Sequence, residues 1–282
     1  MHGSEVTMEI GATLHHLQLL SPATEASAQF YVRAYGMQIE RLGSSWICDA
    51  PGRRLLFTEG SGNQVGFAAF AFPDARAFDA YRQRVAAQTK VAPNRSQLFG
   101  PDAFTVTDPQ GNAIVFGVAT PAIDAPPAST PRARLQHLAL RSTDPAALLT
   151  YYRDTLGFVV SDRVMDDAGR LRACFLRTDA EHHALALFDS PERRHDHLSF
   201  ETADWTALRD WADRMGTMRI PIVWGVGRHG PGNDVFFMVH DPDGNLAEIS
   251  AELEVCGPAR TEGVWPHEQR TLNLWGAAIM RS

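Results

Sequence analysis

An internal repeat constrains this chain more than any other feature, because two copies of one pattern call for two copies of one fold. The segment 14–19 (LHHLQL) resembles the segment 135–140 (LQHLAL), and in both copies a glycine stands 20 residues after the shared histidine. Further on, the turn sequence DPQGN at 108–112 matches DPDGN at 241–245. Similarity at a fixed spacing is the signature of repeated structural units.

Each copy divides once more into a strand, a helix and about three further strands, as run lengths and turn residues indicate. The chain is therefore predicted to have an α+β fold in which four βαβββ units pair into two barrel-like domains. The four units lie roughly at 14–59, 65–118, 135–189 and 195–251.

Helix signals support this division. A helix is predicted at 74–87 in the second unit and at 204–215 in the fourth. In the third unit Asp144 suits the cap of a helix, Pro145 its first turn and Gly157 its end.

A stretch rich in proline and small residues separates the two copies, which is typical of a linker. The predicted divisions are an amino-terminal domain at 1–120, a linker at 121–131, a carboxy-terminal domain at 132–255 and a tail at 256–282. The tail is too apolar for a disordered end, so we expect it to pack on the barrel or at the subunit contact of a homo-oligomer.

Composition excludes several classes of protein. The formal net charge of -7 is spread along the 282 residues, and no basic patch suggests a nucleic-acid partner. No apolar run has the length of a membrane span, and the first ten residues lack the apolar core of a signal peptide. The three cysteines are scattered without metal or disulfide spacing. We therefore expect a cytoplasmic protein.

Three polar residues in the second copy have the chemistry of a metal site. His137 and His197 each lie in the first strand of a unit, and Glu248 lies near the end of the last strand. If paired units curve round a common cleft, strand alternation allows the three side chains to converge. Two imidazoles and one carboxylate are the ligand set of non-haem Fe(II) oxygenases. His195 faces the same way as His197 and is an alternative ligand.

The first copy serves as an internal control. When the repeats are aligned, Glu248 corresponds to Val115 and His197 to Phe67, while only His137 has a matching histidine, His16. A purely structural need for the polar residues would be expected in both copies. The difference favours a functional role in the second copy.

These motifs resemble those of type I extradiol dioxygenases of the vicinal oxygen chelate superfamily. The resemblance covers about 14–254 and is tightest in the segments 135–140, 195–200 and 241–249. It implies Fe(II), less often Mn(II), held by His137, His197 and Glu248. It also implies a metal-free amino-terminal domain, a catechol-type aromatic diol as substrate and O₂ as the second substrate.

The resemblance implies two further site residues. His183, preferred over His182, matches the family's catalytic histidine, which accepts a proton from the diol and later acts as an acid. His229 matches a histidine that hydrogen-bonds the substrate or bound oxygen. One departure is Met238, where many relatives have a tyrosine, because a thioether donates no hydrogen bond.

The pocket of such an enzyme should be largely apolar. The candidate walls are Trp224, Phe236 and Met238, together with Trp265 and Trp275 of the tail.

Other functions remain open at this point. Ring cleavage of a hydroquinone would use the same ligands. A glyoxalase-type isomerase or lyase usually needs a fourth protein ligand, and Val115 and Phe67 argue against a complementary site in the first copy. A non-enzymatic binding protein on the same fold would not need His183 and His229 beside a metal.

Overall fold

The computed structural model describes residues 9–119 and 130–281, and the first copy of the repeat forms an eight-stranded mixed sheet. The sheet has the order β2-β3-β4-β1-β5-β8-β7-β6. In chain order its elements are β1 Thr13–Ser21, α1 Thr24–Tyr35, β2 Gln38–Leu42, β3 Ser45–Ala50, β4 Arg53–Glu59, β5 Gln64–Phe72, α2 Ala75–Ala86, β6 Ala92–Pro93, β7 Phe104–Thr107 and β8 Ala113–Val118.

The second copy forms a nine-stranded sheet with the order β14-β15-β16-β13-β9-β12-β11-β10-β17. Its elements are β9 Arg134–Ser142, α3 Pro145–Thr150 followed by a π-helical turn at Tyr151–Thr155, β10 Val159–Met165, β11 Leu171–Arg177, β12 Leu185–Asp189, β13 Arg194–Glu201, α4 Trp205–Thr217, β14 Ile222–Arg228, β15 Val235–His240, β16 Leu246–Ala251, β17 Gly263–Pro266 and α5 Gln269–Leu272.

The predicted α+β fold with four βαβββ units is confirmed, since each unit runs strand, helix and three strands. The predicted linker lies largely outside the described residues, so the domain boundaries stay a prediction. In the tail, β17 pairs in parallel with β10 and extends the second sheet. Within the described part of the chain, no helix has the length and hydropathy required to cross a membrane.

The helix signals in the sequence correspond to real caps. Asp74, Asp144 and Asp204 each accept a hydrogen bond from the backbone N–H three residues further on. Such caps satisfy one of the unpaired donors at a helix start. Gly157 follows α3 with a φ of 76°, a left-handed conformation that favours glycine.

The repeated turn sequences join the two halves by reciprocal hydrogen bonds. The Tyr31 hydroxyl of α1 donates to Asp241 at 3.2 Å, and the Tyr152 hydroxyl of the π-helical turn donates to Asp108 at 3.0 Å. Each aspartate begins the turn that the sequence repeats. The helix of one half therefore contacts the last unit of the other half, which gives the molecule a pseudo-two-fold arrangement.

Aromatic side chains fill the core between the halves. Phe200 of β13 is fully buried, and its ring lies 5.0 Å from that of Tyr35 and 6.5 Å from that of Tyr31, both in α1. The strand that carries His197 is thus fixed from behind by the helix of the other half.

We expect Phe200→Ala to lower the free energy of unfolding by about 3–5 kcal/mol, because it removes a buried ring and leaves a cavity. Urea denaturation followed by circular dichroism measures the change. The control is Val264→Ala, whose side chain is 65% exposed and whose loss should cost about 0.5 kcal/mol or less. Equal effects of the two substitutions would contradict this account of the core.

Candidate metal centre

Strand register brings the three candidate ligands together. In the second sheet β13 lies between β9 and β16, and Ser199 of β13 is opposite His137 on one side and Glu248 on the other. Residues in one row of a sheet point to the same face, and so does His197, two residues before Ser199. Because the Ser199 side chain is small, it leaves room between His137 and Glu248. The His197 side chain lies next to this room on the same strand.

The ligand atoms of these residues are close enough to bind one ion. Nε2 of His137 lies 3.0 Å from Nε2 of His197 and 3.7 Å from a carboxylate oxygen of Glu248. One atom of each residue can be chosen so that all lie within 4.8 Å of one another. The structure thus brings the three predicted residues to one point.

Neighbouring acceptors fix both imidazoles in the tautomer that a metal requires. Nδ1 of His137 lies 2.6 Å from Oε1 of Gln136, and Nδ1 of His197 lies 2.6 Å from Oδ1 of Asp196. Because carbonyl and carboxylate oxygens only accept, each Nδ1 carries the hydrogen. With Nδ1 so engaged, Nε2 is the atom of each ring that is left to bind a cation between them.

The Glu248 carboxylate also fits a cation. It is fully buried, and neither oxygen has a hydrogen-bond partner among the described residues. Burial alone would raise its pKa, but the nearby imidazoles of His229, His197 and His137 lower it. Burial lowers the pKa of His137 to about 3, so that imidazole is neutral. The imidazoles of His137 and His197 beside a buried carboxylate form the donor set of a divalent metal.

His183 lies against this cluster, whereas His182 does not. The ring of His183 is 4.3 Å from that of His137 and faces the cavity described below. Burial and the neighbouring imidazoles keep the pKa of His183 well below 6.5. The His182 ring instead turns to Asp162, with Nε2 3.1 Å from its carboxylate.

His229 approaches the cluster from β14. Its Nδ1 donates to the carbonyl of Leu272, and its Nε2 lies 3.5 Å from Glu248. Burial would lower its pKa, but the carboxylates of Asp234 and Glu248 outweigh burial and raise it. The protonated form, in which Nε2 carries a hydrogen that it can donate, is therefore more favoured than in a free imidazole.

A small cavity, with a volume of about 20 Å³, opens beside these histidines. Its walls are His137, Phe175, His183, Phe188, His197, Trp224, His229, Pro231, Leu272 and Arg281.

Only Trp224 among the predicted pocket walls lines this cavity, so two assignments are corrected. Phe236 lies behind His229, with their rings stacked at 3.8 Å, and Met238 is fully buried opposite Glu248 in an apolar cluster. Strand alternation predicts correctly which face of the sheet Phe236 and Met238 lie on, but other side chains lie between them and the cavity.

The two tail tryptophans also lie away from the cavity. Trp265 donates to Asp162 at 2.8 Å, and Trp275 is 52% exposed against Trp205. The tail contributes Leu272 and Arg281 instead. No motif in the sequence marked Leu272 or Arg281 as cavity walls. Phe175 and Phe188 could have been predicted, because strand alternation places them on the inward faces of their strands.

The alternative ligand His195 is not part of the cluster. It is buried, its backbone N–H donates to the carbonyl of Asn63, and it borders a separate hollow together with Leu140 and Arg194. The β9–β13 register shifts between His195 and His197, so the two rings do not share an environment.

The first sheet repeats the same row without the polar groups. Ala69 lies opposite His16 on one side and Val115 on the other, as Ser199 does in the second sheet. Nε2 of His16 is already paired, 2.7 Å from the Ser96 hydroxyl. The alignment drawn from the sequence is thus reproduced by strand pairing, and this row offers a single imidazole.

Residues 134–249 match the model of the glyoxalase/bleomycin resistance protein/dioxygenase superfamily. Metapyrocatechase 2 of Cupriavidus necator is 33% identical over 148 residues, which are 52% of this chain and 45% of that protein. The chain thus matches less than half the length of this relative.

Two solved structures share the whole fold. One is the anaerobic complex of homoprotocatechuate 2,3-dioxygenase from Brevibacterium fuscum with 3,4-dihydroxyphenylacetate, with a TM-score of 0.81 and 22% identity over 99% of this chain and 93% of that one. The other is the Mn(II)-bound glyoxalase from Novosphingobium aromaticivorans, with a TM-score of 0.81 and 24% identity over 97% and 93%. The family model and the metapyrocatechase relative confirm the resemblance to the vicinal oxygen chelate superfamily and, within it, to type I extradiol dioxygenases, and the two solved structures confirm the fold.

We expect His197→Ala to abolish tight binding of one divalent ion per chain, because it removes one of three ligands, whereas His195→Ala should retain the ion. Metal content after dialysis, measured by elemental analysis, gives the stoichiometry, and circular dichroism checks that both variants fold. Loss of the ion in His195→Ala with retention in His197→Ala would reverse the assignment.

Proposed function

We propose that this protein is an extradiol dioxygenase that opens the ring of a catechol-type substrate with O₂ at a single non-haem Fe(II). The observation that carries the proposal is the convergence of His137, His197 and Glu248, two of which line a cavity together with His183 and His229. Two imidazoles and a carboxylate leave open positions on an ion for a chelating diol and O₂. Fe(II) is proposed over Mn(II) from the resemblance, since this donor set accepts both.

The bound ion would supply Lewis acidity, lowering the pKa of a diol hydroxyl and holding both reactants side by side. The protein's own groups have separate tasks. His183 is neutral because its pKa lies well below 6.5, so it can accept a proton from the diol. The imidazolium so formed can return the proton to an oxygen of the reactants. His229 can donate a hydrogen bond to an oxygen of the bound reactants.

The cavity walls suit a small aromatic ring. Phe175, Phe188, Trp224 and Leu272 are apolar, and the cavity of about 20 Å³ is far smaller than a usual ligand pocket, so a ring would enter only if these side chains move apart. Aromatic walls favour an aromatic ring by stacked or edge contacts. These walls suit an aromatic diol, and their burial keeps bulk water from the reacting atoms.

Anaerobic loading with Fe(II), followed by O₂ electrode measurements with catechols and hydroquinones, tests this proposal. We expect O₂ consumption and a ring-opened product that contains both oxygen atoms, with catechols preferred. A preference for hydroquinones would instead identify the protein as a dioxygenase that cleaves the ring of hydroquinones. A protein that holds Fe(II) but consumes no O₂ with any diol would reject the dioxygenase reaction.

His183→Ala should lower kcat by about 10²–10⁴-fold while Fe(II) stays bound, because the residue transfers a proton and ligates nothing. Its control is His240→Ala, an exposed histidine at the end of β15, which should leave kcat and metal content unchanged. Full activity of the loaded His183→Ala enzyme would remove the residue from the mechanism.

The pH profile provides an independent test of His183. Below its pKa the imidazole is protonated and no longer accepts a proton. Because burial places this pKa below 6.5, the acidic limb of kcat/KM should lie below pH 6.5. Metal content measured at each pH separates this limb from loss of iron. A limb centred at or above 6.5, with iron retained, would contradict the assignment.

A further inference from the structure

We propose that Arg281 is a positioning residue of the metal centre, which holds Asp196 so that Asp196 orients the His197 imidazole. This inference rests on the proposed role of His197 as a ligand. It extends the site from the strands to the tail segment 273–281, which no motif in the sequence had connected with the metal.

The contact between Arg281 and Asp196 is bidentate and buried. Nε of Arg281 lies 3.1 Å from Oδ2 of Asp196, and a terminal nitrogen lies 2.7 Å from Oδ1. The side chains of Arg281 and Asp196 are 2% and 0% exposed. The other terminal nitrogen donates to the carbonyl of Ile279 at 2.7 Å. Two parallel bonds of this kind fix the plane of the carboxylate as well as its position.

Two aromatic rings hold the guanidinium. Its central carbon lies 4.7 Å from the centre of the Phe188 ring and 4.8 Å from that of Trp224. Stacking of this kind uses the planar shape of arginine, which lysine lacks. The indole N–H of Trp224 also donates to the carbonyl of Ala277 at 3.0 Å, so the wall of the cavity and the tail fix each other.

Asp196 transmits this constraint to the ligand. Its Oδ1, which Arg281 contacts, accepts the Nδ1–H of His197 at 2.6 Å. Hydrogen-bond partners of ligating imidazoles set ring orientation and metal affinity. Arg141 of β9 donates to Oδ2 at 2.7 Å and supplies a second cation, but it does not line the cavity.

The expected consequence is thermodynamic coupling between the tail and the ion. If the docked tail strengthens ion binding, ion binding must stabilise the docked tail by the same factor. Loss of Arg281 should weaken binding of the ion about tenfold or more, the usual effect of removing such a partner.

The experiment compares Mn(II) affinity, by competition with a chelator, in the wild type, Arg281→Lys, Arg281→Gln and Arg141→Gln, with circular dichroism as the test of folding. We expect about tenfold or greater loss in Arg281→Gln, a substantial loss in Arg281→Lys despite its charge, and a smaller loss in Arg141→Gln. Wild-type affinity in Arg281→Gln would overturn the inference. So would full affinity in Arg281→Lys or an equal loss in Arg141→Gln, since either would show that only local charge matters.

Hydrogen exchange gives a second readout that does not depend on activity. Loading the wild type with Mn(II) should slow exchange in peptides covering 273–281, and Arg281→Gln should abolish this effect. Unchanged exchange in the wild type would overturn the coupling while leaving the ligands untouched. A wild type that binds no Mn(II) would overturn the proposed metal site, and this inference with it.

Discussion

The register of three neighbouring strands is the constraint on which the candidate centre depends. Ser199 is opposite both His137 and Glu248, and His197 follows on the same face of the same strand. A shift of one residue in either pairing would turn a ligand to the other face of the sheet. That register is held by packing on the other face, where Phe200 meets aromatic rings from the first half. The core between the halves thus fixes the geometry of the site.

The sequence predicted most of this because its signals are periodic and local. The repeated turns located the last strand of each half, and alternation placed His137, His197 and Glu248 on converging faces. Alternation gives the face of a side chain but not what covers it, which is why Phe236 and Met238 lie behind the site. The position of Arg281 could not be predicted from the sequence, because the path of a tail with little regular structure depends on tertiary contacts alone.

The residue before each candidate ligand histidine is a hydrogen-bond acceptor, and this pattern was not used in predicting the site. Gln136 and Asp196 each stand one position before a candidate ligand histidine and accept its Nδ1 hydrogen. Their partners extend further, since the Gln136 amide donates to the carbonyl of His183 at 2.6 Å and Asp196 binds Arg281. Each imidazole is therefore linked through one side chain to another wall of the cavity. An acceptor before each histidine is a pattern that can be looked for in sequence.

The difference between the halves follows from the cost of burying charge. A buried carboxylate without hydrogen bonds is strongly unfavourable unless an opposite charge accompanies it. The first half has Val115 where the second has Glu248, and its histidine is paired with Ser96, so no compensation is needed there. In the second half the Nε2 atoms of His137 and His197 face each other 3.0 Å apart beside Glu248, and His229, whose pKa Asp234 and Glu248 raise, approaches the carboxylate to 3.5 Å. A divalent cation there would bind both Nε2 atoms and add positive charge beside the carboxylate. The charge of Glu248 in this half would thus be compensated by His229 and by an ion together.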